Sequence, residues 1–115
     1  MIKKNFKGRC VRKYIDKSKS VCRTYNSIQT AYLDVLQNRE DISEIRCNVL
    51  LDEKSIEDYT TDFVCVKTNG KMMVRECVFR KLIAKPMNVK LLDKSREYWT
   101  NRGVKDWGVV TDAEK

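Results

Sequence analysis

Thr61-Asp62-Phe63-Val64-Cys65-Val66-Lys67-Thr68-Asn69-Gly70-Lys71-Met72-Met73-Val74-Arg75-Glu76-Cys77-Val78-Phe79 is the stretch that decides the fold. Two β-rich runs flank Asn69-Gly70, the strongest short-range signal for a hairpin. The pattern predicts strands over 61–67 and 71–79. A two-residue loop would pair Thr68 with Lys71 and set Asp62 against Cys77. A three-residue loop, Thr68-Asn69-Gly70, would pair Lys67 with Lys71 and set Asp62 opposite Glu76. Gly70 stands where a three-residue loop places its left-handed residue, which favours the second register.

Directly opposed Cβ atoms in an antiparallel pair lie about 4.5–5.5 Å apart. Two carboxylates at that distance repel unless a cation lies between them. A hard divalent ion held through oxygen ligands is one answer. Arg75 or Arg80 as a neutralising partner is the other, and both stay open at this point.

Upstream, Asn26-Ser27 supplies N-cap chemistry for a helix over 27–38, with Ile28, Ala31, Tyr32, Val35 and Leu36 as its apolar face. Arg39-Glu40-Asp41 ends it, and a strand is expected over 45–51. The acidic stretch 52–59 reads as a loop. Downstream, Lys85-Pro86 marks a helix start, Pro being accepted at the first helical position. That helix runs to about Asn101, with Met87, Leu91, Leu92, Ser95, Tyr98 and Trp99 inward and Gly103 as the C-terminal cap. A short strand over 107–111 follows. The order is helix, strand, hairpin, helix, strand, an α/β domain with a mixed sheet. Trp99 and Trp107 are read as core-closing residues.

The chain has 115 residues, 42% hydrophobic and 35% charged, which suits one globular domain. Its formal net charge is +8 and it contains no His. The second fact removes every His-based general base, metal ligand and catalytic triad. The charge is unevenly placed. Residues 1–25 carry Lys3, Lys4, Lys7, Arg9, Arg12, Lys13, Lys17, Lys19 and Arg23 against Asp16 alone, and the remainder is balanced. Residues 1–20 therefore read as a basic N-terminal arm, with one strand near Val11–Ile15, ahead of a single domain over 21–115. A basic arm of this kind binds nucleic acid by phosphate neutralisation or simply stays solvated. The five cysteines form no C-x-x-C pair, so no zinc site is expected and the usage fits a reducing cytoplasm. Cys65 and Cys77 fall in apolar runs as core residues. No stretch reaches the roughly 18 apolar residues of a membrane span.

The chain also resembles a family. Thr61-Asp62-Phe63-Val64, Met73-Val74-Arg75-Glu76-Cys77-Val78-Phe79-Arg80, Lys85-Pro86, Lys90-Leu91-Leu92-Asp93-Lys94-Ser95-Arg96-Glu97-Tyr98-Trp99 and Asp106-Trp107-Gly108-Val109-Val110-Thr111-Asp112 together look like the N-terminal domain of the TnsA endonucleases. The resemblance covers about 22–112 and is most specific from Asp62 onward. It implies a restriction-endonuclease-like αβββαβ core of the PD-(D/E)xK superfamily, acting on double-stranded DNA in a transposon, phage or other mobile-element context. It also implies a transposase-like or phage protein as a possible partner. The family's full-length members add a C-terminal domain that contacts a transposition ATPase, and the resemblance implies nothing about that contact here.

Carried over position by position, the family's helix glutamate falls on Gln29, its central aspartate on Asp62, its second acid on Glu76 and its lysine on Val78. Asp62 and Glu76 would hold Mg²⁺ or Mn²⁺, with Gln29 as a weak third ligand through its carbonyl oxygen. Val78 can neither orient water nor stabilise charge. Arg80, two residues further along the expected strand, would stand in for the lysine electrostatically but not as a base. Lys81 and Lys85, with Lys3, Lys4, Lys7, Arg9, Arg12 and Lys13, are the candidate DNA contacts. Cleavage of both strands implies a homodimer or a partnered nuclease. The departures at Gln29 and Val78 leave two expectations: a metal-dependent endonuclease with a partly degenerate site, or an inactive nuclease-fold module that binds DNA or a protein.

Overall fold

A computed structural model describes residues 10–19, 21–51 and 59–112. Lys3, Lys4, Lys7, Arg9 and most of the 52–59 loop lie outside the described residues. The elements are β1 (Val11–Lys13), β2 (Cys22–Thr24), α1 (Ser27–Asn38), β3 (Ile42–Leu50), β4 (Thr60–Lys67), β5 (Met72–Cys77), α2 (Arg80–Ile83), α3 (Pro86–Asn101) and β6 (Asp106–Val110). β3, β4, β5 and β6 form one sheet in that order, with β5 and β6 parallel and the other pairs antiparallel. The architecture is α/β with a mixed four-stranded sheet. No helix among the described residues is long and apolar enough to cross a membrane.

The hairpin takes the three-residue loop. Phe63 pairs with Arg75 and Val66 with Met72. The Lys67 amide donates to the Lys71 carbonyl at 2.8 Å, and Gly70 sits at φ +85°, where an L side chain would be strained. Extending the ladder one step beyond Phe63 sets Asp62 across from Glu76. The β3–β4 register adds a third member: Cys47 pairs with Phe63 and Val49 with Thr61, so Asn48 stands opposite Asp62. Asn48, Asp62 and Glu76 thus form one row across three neighbouring strands.

The two sheet faces pack different helices. Ile28, Leu33 and Leu36 of α1 meet Ile45, Phe63, Cys65 and Met73. Leu91 and Trp99 of α3 meet Val64 and Val74. α1 has the expected bounds, and the Asn26 side chain accepts from the Gln29 amide at 2.9 Å as its cap. Its inward face, however, is turned from the apolar stripe. Ile28, Gln29, Leu33 and Leu36 are buried, while Ala31 is exposed and Val35 is 52% exposed. α3 buries Leu91, Leu92, Ser95 and Trp99, and Met87 is exposed rather than inward.

Further elements differ from the expected pattern. β3 begins at Ile42 rather than 45. β1 and β2 pair antiparallel, a contact the charge-dominated reading of this segment did not supply. Within the basic arm, Ile15 is buried, the Ile45 amide donates to the Lys17 carbonyl at 2.9 Å, and Lys17 Nζ donates to the Arg39 carbonyl at 2.6 Å. Residues 10–19 are therefore built into the fold. Finally, β5 ends at Cys77, and Arg80 opens the one-turn helix α2.

Candidate functional site: a closed carboxylate row

Gln29, Asp62 and Glu76 come together, and each is 0% exposed. Gln29 Nε2 donates to Asp62 Oδ1 at 2.7 Å and to Asn48 Oδ1 at 3.1 Å. Gln29 Oε1 accepts from the Tyr25 amide at 2.7 Å. That last bond fixes which way the amide points, because a backbone N–H can only donate. Asn48 is oriented in the same way: its Nδ2 donates to the Arg23 carbonyl at 2.6 Å, leaving Oδ1 toward Gln29. Asn48 has φ +54°, a left-handed conformation that Asn tolerates better than most side chains.

The remaining carboxylate oxygens also meet protein donors. Asp62 Oδ2 accepts from the Cys77 amide at 2.6 Å. Glu76 Oε1 accepts from the Asp62 amide at 3.1 Å, and Oε2 from Ser95 Oγ at 2.5 Å. Trp107 Nε1 in turn donates to Ser95 Oγ at 3.2 Å, and Trp99 Nε1 to Thr61 Oγ1 at 2.9 Å. Buried polar groups are costly unless bonded, and among the described residues no buried side-chain nitrogen or oxygen lacks a partner. The row links α1 through Gln29 and α3 through Ser95 to the ends of the two central strands. It is a polar strut between the helical layers.

This donor set does not fit Mg²⁺ or Mn²⁺. A hard cation needs several converging oxygens. Gln29, expected as a carbonyl ligand, presents its N–H₂ to Asp62 and spends its oxygen on Tyr25. Gln29 Nε2, shared between Asp62 Oδ1 and Asn48 Oδ1, is a hydrogen-bond donor and not a metal ligand. No group of three or more His, Cys, Asp or Glu among the described residues is arranged to hold a metal ion. Val78, at the family's lysine position, is buried, and its amide donates to the Val110 carbonyl at 2.9 Å.

The other expected site residues are more dispersed. Arg80 is exposed on α2, and its amide donates to Asp112 Oδ1 at 2.7 Å, which holds the Asp112 carboxyl below the usual range. Because β5 has already ended, strand alternation does not carry Arg80 to the carboxylates. Arg75 is bound to Asp106 at 2.8 Å rather than placed between Asp62 and Glu76. Lys81 and Lys85 are exposed on α2 and at the start of α3. Arg12 is exposed on β1, whereas Lys13 pairs with Asp34 of α1 at 3.1 Å. Cys65 and Cys77 are buried, and burial pushes the Cys65 thiol up to about 12, so it behaves as an inert core group.

Sequence reasoning missed Asn48 and the Ser95–Glu76 bond. The signal for Asn48 was its position in the row, visible once the β3 register is known. Helical spacing puts Ser95 on the inward face of α3, but a small polar residue there does not announce its acceptor. In comparisons with known proteins, no family model and no curated protein matches the chain.

Proposed function

We propose that the chain is a restriction-endonuclease-like module that binds duplex DNA without cutting it. The observation that carries this reading is the Gln29 amide donating to Asp62 at 2.7 Å, with Gln29, Asp62 and Glu76 all fully buried. A catalytic phosphodiesterase of this class must expose its acids to metal, water and a phosphate. Here those acids are enclosed and bonded to backbone, Gln29 and Ser95. The helix, strand, hairpin, helix, strand order with its parallel last strand supports the fold-class reading. The net charge of +8, with nine basic residues against one acid in the first 25, supports a polyanionic partner.

Fluorescence anisotropy with a labelled duplex in EDTA tests the proposal. Binding should be metal-independent, unchanged in Asp62→Asn and steeply salt-dependent. Neutralising Lys3, Lys4, Lys7 and Arg9 together should flatten the salt slope by roughly three to four, at about 0.9 per phosphate contact. These substitutions are cleaner than deleting 1–19, which would remove β1 and Ile15. No binding at low salt, or binding that needs Mn²⁺ and disappears in Asp62→Asn, overturns the proposal.

A further inference from the structure

The far end of the hairpin carries a second feature, remote in the strand direction from Asp62 and Glu76. A cleft of about 390 Å³ opens between the β4–β5 turn and the α3–β6 loop, lined by Lys67, Gly70, Lys71, Met72, Gly103, Lys105 and Asp106. Among the described lining residues the acid is Asp106, shared by two cations: Oδ2 bonds Lys67 Nζ at 2.7 Å, and Oδ1 bonds Arg75 at 2.8 Å. Lys71 and Lys105 are exposed and add two further positive charges. Lys67 and Lys71 are directly opposed across the hairpin, the Lys67 amide donating to the Lys71 carbonyl at 2.8 Å. Asp106 is already the anion at Lys67, so the excess positive charge of the cleft rests on Lys71 and Lys105. The surface of α3 makes a contrast: the depression there is lined by Lys90 and Lys94 together with Asp93 and Glu97, and its charges cancel.

We propose that the cleft formed by Lys67, Lys71, Lys105 and the two glycine turns binds backbone phosphates of duplex DNA. The open, lysine-rimmed shape suits a phosphate that remains part of a polymer. Exposed ammonium groups gain little from one small anion, whereas contacts along a duplex add through counterion release. This rests on the DNA-binding reading above and gives it a contact surface on the folded domain, separate from the basic N-terminal residues.

The test is duplex binding by full-length wild-type protein, Lys71→Ala/Lys105→Ala and the control Lys90→Ala/Lys94→Ala, each measured across a salt series in EDTA. Lys71, Lys90 and Lys105 are exposed and Lys94 is partly exposed, and thermal melting of each variant verifies folding. The expected result is a salt slope shallower by about two for Lys71→Ala/Lys105→Ala and unchanged for the control. An unchanged slope with DNA still bound overturns the cleft while leaving the DNA-binding reading intact. Equal effects of the two pairs also overturn it, since the contribution would then be general surface charge. Absence of any duplex binding by the wild type overturns both.

Discussion

Gln29 Nε2 lies 2.7 Å from Asp62 Oδ1, with both side chains wholly buried. An amide donor therefore meets a carboxylate at the point where the family resemblance would put two acids around a cation. One oxygen-to-nitrogen difference changes the requirement of the site. A glutamate would present charge against Asp62 and call for a metal. Glutamine presents hydrogens and satisfies it.

Gln29→Glu should be strongly destabilising. It removes donors from Asp62 and Asn48 and sets a third acid in a buried row, a change worth about 3 kcal/mol or more at neutral pH. Mn²⁺ should recover part of the loss, because the new carboxylate, Asp62 Oδ1 and Asn48 Oδ1 would form an oxygen set for a hard cation. Urea unfolding in EDTA and in Mn²⁺ measures both effects. Wild-type stability in EDTA would speak against the assigned amide orientation.

Asp62→Asn discriminates a strut from a catalytic pair by the sign of its effect. Gln29 and the Cys77 amide both donate to Asp62, so an asparagine must turn its own N–H₂ toward one of them. The expected cost is about 1–3 kcal/mol. Were the carboxylates held chiefly against mutual repulsion, neutralising one would raise stability instead. Equilibrium denaturation of the variant gives the sign.

The facing of α1 can be checked by a pair of truncations. Leu33→Ala, at a fully buried position, should cost about 2–5 kcal/mol, and Val35→Ala, at a half-exposed one, should stay within about 0.5 kcal/mol. Urea midpoints in the reverse order would restore the apolar-stripe reading.

That helix also marks where the sequence was legible. Turn chemistry at Asn69-Gly70 specified the hairpin register and with it the Asp62–Glu76 juxtaposition. Capping residues specified both long helices. The rotation of α1 was hidden because hydrophobic periodicity counts a glutamine as outward. Here Gln29 is the inward anchor, tied to Asp62, Asn48 and Tyr25, and it carries Leu33 and Leu36 inward with it while Ala31 and Val35 turn out. The β1–β2 pairing was masked by the dense lysines around it. Gln29, Asp62 and Glu76 were legible as neighbours, but Asn48 and the displacement of Arg80 onto α2 were not, and residue identity alone does not say which end of an amide faces an acid.

Asp106 should give a small acid-side signature. The bond from Lys67, with a second from Arg75, lowers its carboxyl below the ordinary value. A depressed folded pKa contributes stability above the unfolded value of about 3.9, lost as pH falls through the folded value. The site is partly exposed, so the contribution should be under about 1 kcal/mol and should shrink with salt. The stability difference between wild type and Asp106→Asn, measured from neutral pH down to pH of about 3, should diminish over that acid range. A difference independent of pH would mean the ion pairs contribute nothing.

The central claim is that this fold holds DNA and does not cut it. Incubation of supercoiled plasmid with wild-type protein and Mn²⁺ at low salt tests it most directly. The account predicts retarded but intact plasmid, identical for wild type and Asp62→Asn. Nicked or linear product that disappears in both Asp62→Asn and Glu76→Gln would contradict it.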